Sequence, residues 1–245
     1  HVDIVVKNGG CLSSALGGAE ANNYAGLVLE ENSFGTLLVE NGGRLKVDKI
    51  TDKNTKATES RRVDIVFDGG ILEMTSGSIL TTSFKVPDYH GFTTRNKGVN
   101  IVIPSGGTHI FAAPFRGNGN VVKTGAGQLG IKNGVNNFTG DVFRHSGSTE
   151  IAEGQLNLCG TEQSMPSLFG AGSVFHGTLS GSIKAFVGRT EANAISLGSS
   201  LSFGSITLDV EVVEGVEEIN DTFIPVARIN GAALSEETLA TWTGR

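Results

Sequence analysis

Cysteine is almost missing from this chain, with 2 in 245 residues; proline is nearly as scarce at 5, and tryptophan scarcer still at 1. Two thiols cannot build a disulfide-dense secreted scaffold. Cys11 and Cys159 lie 148 residues apart with no Cys or His near either at metal-ligand spacing. Both read as small buried apolar groups, and neither a metal nor a cofactor is expected. Low cysteine also suits export of an unfolded chain. A basic excess is missing too: the net charge is −6 and the isoelectric point about 5.4, so nucleic acid is not an expected partner. No run of about 18 apolar residues occurs, so no membrane-spanning helix is expected. The chain lacks a phosphate-binding GxxxxGK[ST], a zinc-binding HExxH and a GxSxG elbow. Gly125, Gly127 and Gly130 spell GxGxxG, but no helix signal follows, so the dinucleotide reading fails. Five histidines, His1, His90, His109, His145 and His176, are scattered singly and read as surface or corner residues.

Glycine is abundant, at 35 residues, and without a three-residue period, which excludes collagen. Hydrophobic residues at 38% are too many for a disordered chain. The pattern is most regular from Gly117 to Leu158. There Val121, Leu129, Ile131, Ile151, Leu156 and Leu158 alternate with Asn, Lys, Gln and Glu, the period of two that sends one side-chain set inward. Gly117, Gly119, Gly125, Gly127, Gly134, Gly140, Gly147 and Gly154 interrupt every run. Each would cost roughly 1 kcal/mol against Ala inside a helix, so short strands joined by tight corners are expected.

In this stretch Gly117, Gly119, Val121, Lys123, Gly125, Gly127, Leu129, Ile131, Asn136, Phe138, Thr139 and Gly140 fall in order, closed by Gly154, Leu156 and Leu158. That order resembles the passenger-associated repeat of bacterial autotransporters, roughly GxGxLxKxGxGxLxLxGxNxYTG followed by a strand and GxLxL. The likeness covers 42 residues, 117–158, and departs after Gly140, where DVFRHSGSTE lengthens the link to the closing strand. The resemblance implies a right-handed parallel β-helix, exported and either secreted or displayed at the bacterial cell surface (outer membrane), with no shared active site. It implies an adhesin-like passenger, with any membrane contact made by a barrel outside this fragment. A monomer is expected.

Repetition elsewhere agrees. VDIVVKNGG at Val2–Gly10 returns as VDIVFDGG at Val63–Gly70 and VNIVIPSGG at Val99–Gly107, with a relative, TLLVENGGRLKV, at Thr36–Val47. The starts differ by 61 (63 − 2) and 36 (99 − 63), so stacked repeats would carry loops of unequal length. Cys11 and Cys159 would then lie on different coils, beyond disulfide reach. The polar segment Thr51–Arg62 reads as a surface loop. The segment Lys85–Gly98 gathers Tyr89, His90, Phe92 and Arg95, side chains that sugar or protein sites use. These four are the candidate binding residues, for host glycans or surface proteins. The alternative is that Tyr89 and Phe92 fold back and seal the flank.

A carbohydrate-cleaving site would need clustered carboxylates on one flank. Only Asp64 and Asp68, four apart and so able to share a face, with Asp3 at the position equivalent to Asp64, offer such a set, and Asn100 of the third copy would continue the Asp3 and Asp64 column as plain solvent-facing polarity. No catalytic residue is assigned. Five acids from Glu211 to Asp221 read as a solvated face rather than a calcium site. At the C-terminus Ser235 can cap a short helix carrying Glu236 and Glu237 in its first turn, with Leu234 against Leu239, and Trp242 can help cover the last coil. The whole of 1–245 is therefore expected to be one β-helix domain from a longer exported protein, non-enzymatic, of ten to twelve coils and about 50–60 Å at ~4.8 Å per strand. A carbohydrate-binding or carbohydrate-cleaving module is the alternative.

Overall fold

The computed structural model describes residues 1–14, 27–55, 57–58, 60, 62–75, 79–84, 90–133, 139–187, 195–212, 227–230 and 242–244. Among these the chain is all-β, without a helix, and every strand pairing is parallel. The expected C-terminal helix lies outside the described residues.

The first three strands are β1 (Val2–Val6), β2 (Cys11–Ser14) and β3 (Leu27–Leu29). The next round of three is β4 (Gly35–Glu40), β5 (Arg44–Val47) and β6 (Ile50–Asp52). It lies directly on the first, with Ile4 beside Leu37, Leu12 beside Leu45 and Leu27 beside Ile50. The third round is β7 (Val63–Asp68), β8 (Gly70–Met74) and β9 (Ile79–Ser83). The fourth is β10 (Phe92–Thr94), β11 (Val99–Val102) and β12 (Thr108–Ala112), and the fifth β13 (Phe115–Gly117), β14 (Val121–Thr124) and β15 (Gln128–Ile131). Beyond them come β16 (Thr149–Ile151), β17 (Gln155–Asn157), β18 (Glu162–Phe169), β19 (Ser173–Phe175), β20 (Gly177–Val187), β21 (Ile195–Gly198), β22 (Leu201–Val212), β23 (Ala227–Asn230) and β24 (Trp242–Gly244).

Three sheets result. The first runs β1-β4-β7-β10-β13, the second holds ten strands from β2 to β24, and the third nine, from β3 to β23. Ten strands at about 4.8 Å span roughly 43 Å, short of the 50–60 Å expected. The backbone of Trp242 opens β24, so it extends the second sheet on β22. After β13 the first wall continues in another form. Phe143 bridges to Phe115, the Val142 N–H donates to Gln163 Oε1 at 2.8 Å, and the Ser164 N–H donates to Asp141 Oδ1 at 2.8 Å. The long strands β18, β20 and β22 then run on together, with register shifts between Met165 and Leu168 and between Leu179 and Gly181.

Alternation fills one continuous core. Leu37, Ile65, Phe92 and Phe115 form a buried column in the first sheet, Leu45, Leu72 and Ile101 one in the second, and Leu129, Leu156, Val174 and Leu197 one in the third. Leu129, Ile131, Leu156 and Leu158 all point inward, as their spacing predicts. Burying each such side chain contributes about 1.5–3 kcal/mol.

Several expectations are corrected here. Lys123 belongs to the inward set, between Ile101 and Ile151, because inward position is fixed by register with Val121 and not by polarity. The Val99 copy lies in the second sheet while the Val2 and Val63 copies lie in the first, so Asn100 aligns with Ile71 and Val122, not with the Asp3 column. The V-x-I-V alternation fits any wall; only its place before or after a corner decides which. Both thiols are free, but Cys11 is exposed and Cys159 half-buried, because each sits on an outward or corner position. His90, His109 and His145 are buried, since each finds a polar partner inside the stack.

Candidate functional site

The four residues of the Lys85–Gly98 segment part company. Tyr89 lies outside the described residues. Phe92 is fully buried at the middle of an aromatic cluster, stacked on Phe115 at 4.5 Å between ring centres and set edge-on to Phe84 at 5.5 Å and Phe111 at 5.4 Å. His90 is also inside, its Nδ1 2.7 Å from Asp52 Oδ2, with both side chains fully buried. The Val63 N–H points to His90 Nε2 at 3.4 Å, and the Asn54 N–H donates to Asp52 Oδ1 at 2.8 Å, so the pair ties three neighbouring segments together. Neither Phe92 nor His90 presents an atom to a ligand. Of the three described, Arg95 is the exposed one.

Arg95 stands at the corner between the first and second sheets, where a groove of about 390 Å³ is lined by Lys7, Asn8, Glu40, Asn41, Asp68 and Lys97. Stacking builds it. Glu40 and Asp68 are register partners on β4 and β7, Lys7 follows Val6, whose partner is Val39, and Arg95 follows Thr94, whose partner is Phe67. One outward column therefore reads Lys7, Glu40, Asp68, Arg95 over four rounds. Beside it the corner peptides are bonded from round to round, Gly9 N–H to Gly42 O at 3.3 Å, Gly42 N–H to Gly69 O at 3.1 Å and Gly69 N–H to Gly98 O at 2.8 Å. Glycine is favoured at Gly42 by its backbone conformation, and the Asn8 side chain fills the space beside it. The Gly42 φ is +75°, and a Cβ would stand 2.3 Å from Asn8 Oδ1, so the amide of one corner lies flat over the next. The Lys97 N–H donates to Asp68 Oδ1 at 3.0 Å. Among the described residues, Lys7, Glu40 and Lys97 form no ion pair.

On the other border of the same sheet, Asp3 and Asp64 do share a column, as expected, but with Thr36 between them. Two rounds put their backbones roughly 10 Å apart. Each carboxylate already has a partner: Asp3 takes the Thr36 N–H at 2.8 Å and His1 at 3.3 Å, and Asp64 takes Arg62 Nε at 3.0 Å. Next to them a cavity of about 260 Å³ at the first rounds is lined by Ile4, Leu27, Leu29, Phe34, Leu37 and Val63 among others.

Buried polar groups elsewhere serve the stack. The Lys123 ammonium donates to the carbonyls of Thr124 at 3.2 Å, Glu153 at 3.0 Å and Gly125. Burial lowers its pKa to about 8 against the opposing pull of the Glu153 carboxylate. His109, 2.9 Å from the Thr82 hydroxyl, is lowered by burial to about 3. His145, 3.2 Å from the Thr149 hydroxyl, is lowered by burial to about 4 despite hydrogen bonds at Gly119 and Gly147. Among the described residues no group of three or more His, Cys, Asp or Glu could hold a metal ion. The corner groove is not among the sites expected from the sequence, although KNGG, ENGG and DGG each place charge before a glycine corner.

No family model, no curated protein and no solved structure matches the chain.

Proposed function

We propose that this chain is a right-handed parallel β-helix, one domain of a longer exported bacterial protein, that serves as a non-enzymatic, adhesin-like scaffold at the cell surface. The carrying observation is the three-strand period, in which β1, β4 and β7 pair in one sheet while β2, β5, β8 and β3, β6, β9 pair in two others. A parallel stack of this kind buries a thin core along its whole length and leaves corners free to vary, which is what a rigid surface spacer requires. The passenger-like order of Gly117 to Leu158 supports export, and low cysteine is compatible with it. Catalysis gains no support from the Asp3 and Asp64 column, because both carboxylates are engaged and stand two rounds apart. The test has two arms. Expressed with its native flanking sequence in the source bacterium, the segment should be labelled by an impermeant reagent on intact cells; exclusive recovery in the cytoplasm sinks the surface reading. Incubated with neutral and acidic polysaccharides, the protein should release no reducing ends, and turnover abolished by Asp64→Asn would end the scaffold reading.

A second reading, a carbohydrate-binding module, is favoured by the polar corner groove, and the ligand class that groove fits is argued next.

A further inference from the structure

We infer that the groove at the corner of the first and second sheets binds a neutral oligosaccharide laid along the stack. This rests on the carbohydrate-binding reading above and gives it a site and a ligand class. Every lining side chain is polar: two ammonium groups, Lys7 and Lys97, two carboxylates, Glu40 and Asp68, and two amides, Asn8 and Asn41. Along the axis the two carboxylates of the middle rounds lie between cations at either end. An anionic polymer with one charge per unit would meet Glu40 and Asp68, and a cationic one would meet Lys7, Lys97 and Arg95, so neither gains net attraction. A neutral polyol is indifferent to that sign pattern, because each hydroxyl donates and accepts at once and finds both kinds of partner beside it.

Three further features agree. Asp68 is held by the Lys97 N–H, which fixes one acceptor in place. At one end the Gly9 corner is open, with nothing within 4 Å of where a Cβ would project, so a flat ring can approach there, while Asn8 covers Gly42 and Asn41 and Lys97 cover Gly69. The polar groups recur once per round at about 4.8 Å, close to the advance of one hexopyranose unit in an extended chain. A peptide is a poorer fit. Strands β4 and β7 are paired on both sides and offer no free edge, and the groove has no aliphatic pocket for a side chain.

Titration calorimetry with neutral oligohexoses of increasing length, α- and β-linked, tests the inference, with sulfated and uronate oligosaccharides of matched length alongside. Affinity should rise with length and level off at about four units, the number of rounds from Lys7 to Lys97 at about 4.8 Å each. It should change little between about 50 and 500 mM salt, as binding without net charge attraction requires. Asn41→Ala and Lys97→Ala should each weaken it on the order of tenfold, with the thermal midpoint unchanged because both side chains are exposed. Binding only to the charged oligosaccharides, or an affinity that collapses with salt, would overturn the ligand class. Binding to neutral sugars untouched by both substitutions would move the site elsewhere while leaving the carbohydrate-binding reading intact. No binding to any member of the panel would remove both.

Discussion

At the scale of single residues, the molecule hides its most polar chemistry inside. Lys123 fills a column position that is Ile101 on one side and Ile151 on the other, and its three donors meet three carbonyls where the chain turns. It acts as a staple between the corner at Gly125 and the one at Glu153. Lys123→Met should keep the packing but strand those carbonyls, costing about 1–3 kcal/mol near neutral pH. The pH dependence has a defined sign. With the folded pKa lowered to about 8 from 10.5, the unfolded chain holds more protons between those values. The wild type should therefore gain stability as pH rises from about 8 to 10.5, and the Lys123→Met protein should lack that increment in paired melts. His109 and His145 act in the acid range. Their folded values of about 3 and 4 lie below the usual 6.5 of a free imidazole, so stability is lost as pH falls from about 6.5 toward 4, by about 1.4 kcal/mol per group per pH unit. Replacing His109 with Leu should flatten this acid limb, and an unchanged slope between pH 6 and 4.5 would show that other groups set it. These roles were illegible in the sequence because polarity alone marks Lys and His as outward, and only register reveals which positions face inward.

At the scale of elements, the described residues of the Lys85–Gly98 segment are split between the core and the surface. Composition pointed to recognition there, since aromatic and charged residues on a connection are what binding sites use. The structure divides the segment: Phe92 and His90 are buried, and Arg95 with Asn96 and Lys97 is exposed. Phe92 touches Phe67, Phe84, Phe111 and Phe115, so it joins the first and third sheets across the interior. Replacing residues 86–97 with a Gly/Ser linker should therefore destabilise severely. The loss of Phe92 alone is worth about 3–5 kcal/mol, and Asp52 would be left buried without His90. Urea titration of that variant, with Arg95→Ala as a surface control expected within about 0.5 kcal/mol of wild type, separates the two halves of the segment. Strand existence was readable here from alternation and glycine corners. Which wall each strand joins was not, because Val2 and Val63 open runs of the first sheet while the near-identical run from Val99 falls on the second.

At the scale of the whole molecule, the architecture is one-dimensional, and its failure should be too. Each round pairs only with the rounds before and after it, so stability is close to a sum of round and interface contributions. Leu156 lies on β17, between Leu129 and Val174, near the middle of the stack and fully buried. Leu156→Asp would place a carboxylate in that dry column with no cation in the same register, and the charge can be tolerated only by taking up a proton or by opening the column to water. In a compact domain this would unfold everything at once. Here the rounds from β1 to β12 keep their own aromatic core and their own corner bonding, so the damage should stay on the C-terminal side and in the rounds that border β17. Limited proteolysis of the variant should leave a resistant N-terminal fragment ending between Ile131 and Thr149. Hydrogen exchange should show protection retained at Leu45, Leu72 and Phe111 while it vanishes at Leu168, Val174 and Ile183. The wild type, by contrast, should exchange in a single graded pattern with its slowest amides near the middle rounds. Uniform loss of protection from Leu45 to Ile183 in the variant would mean that the stack folds as one cooperative unit, and a loss smaller than about 0.5 kcal/mol would mean that Leu156 does not face inward.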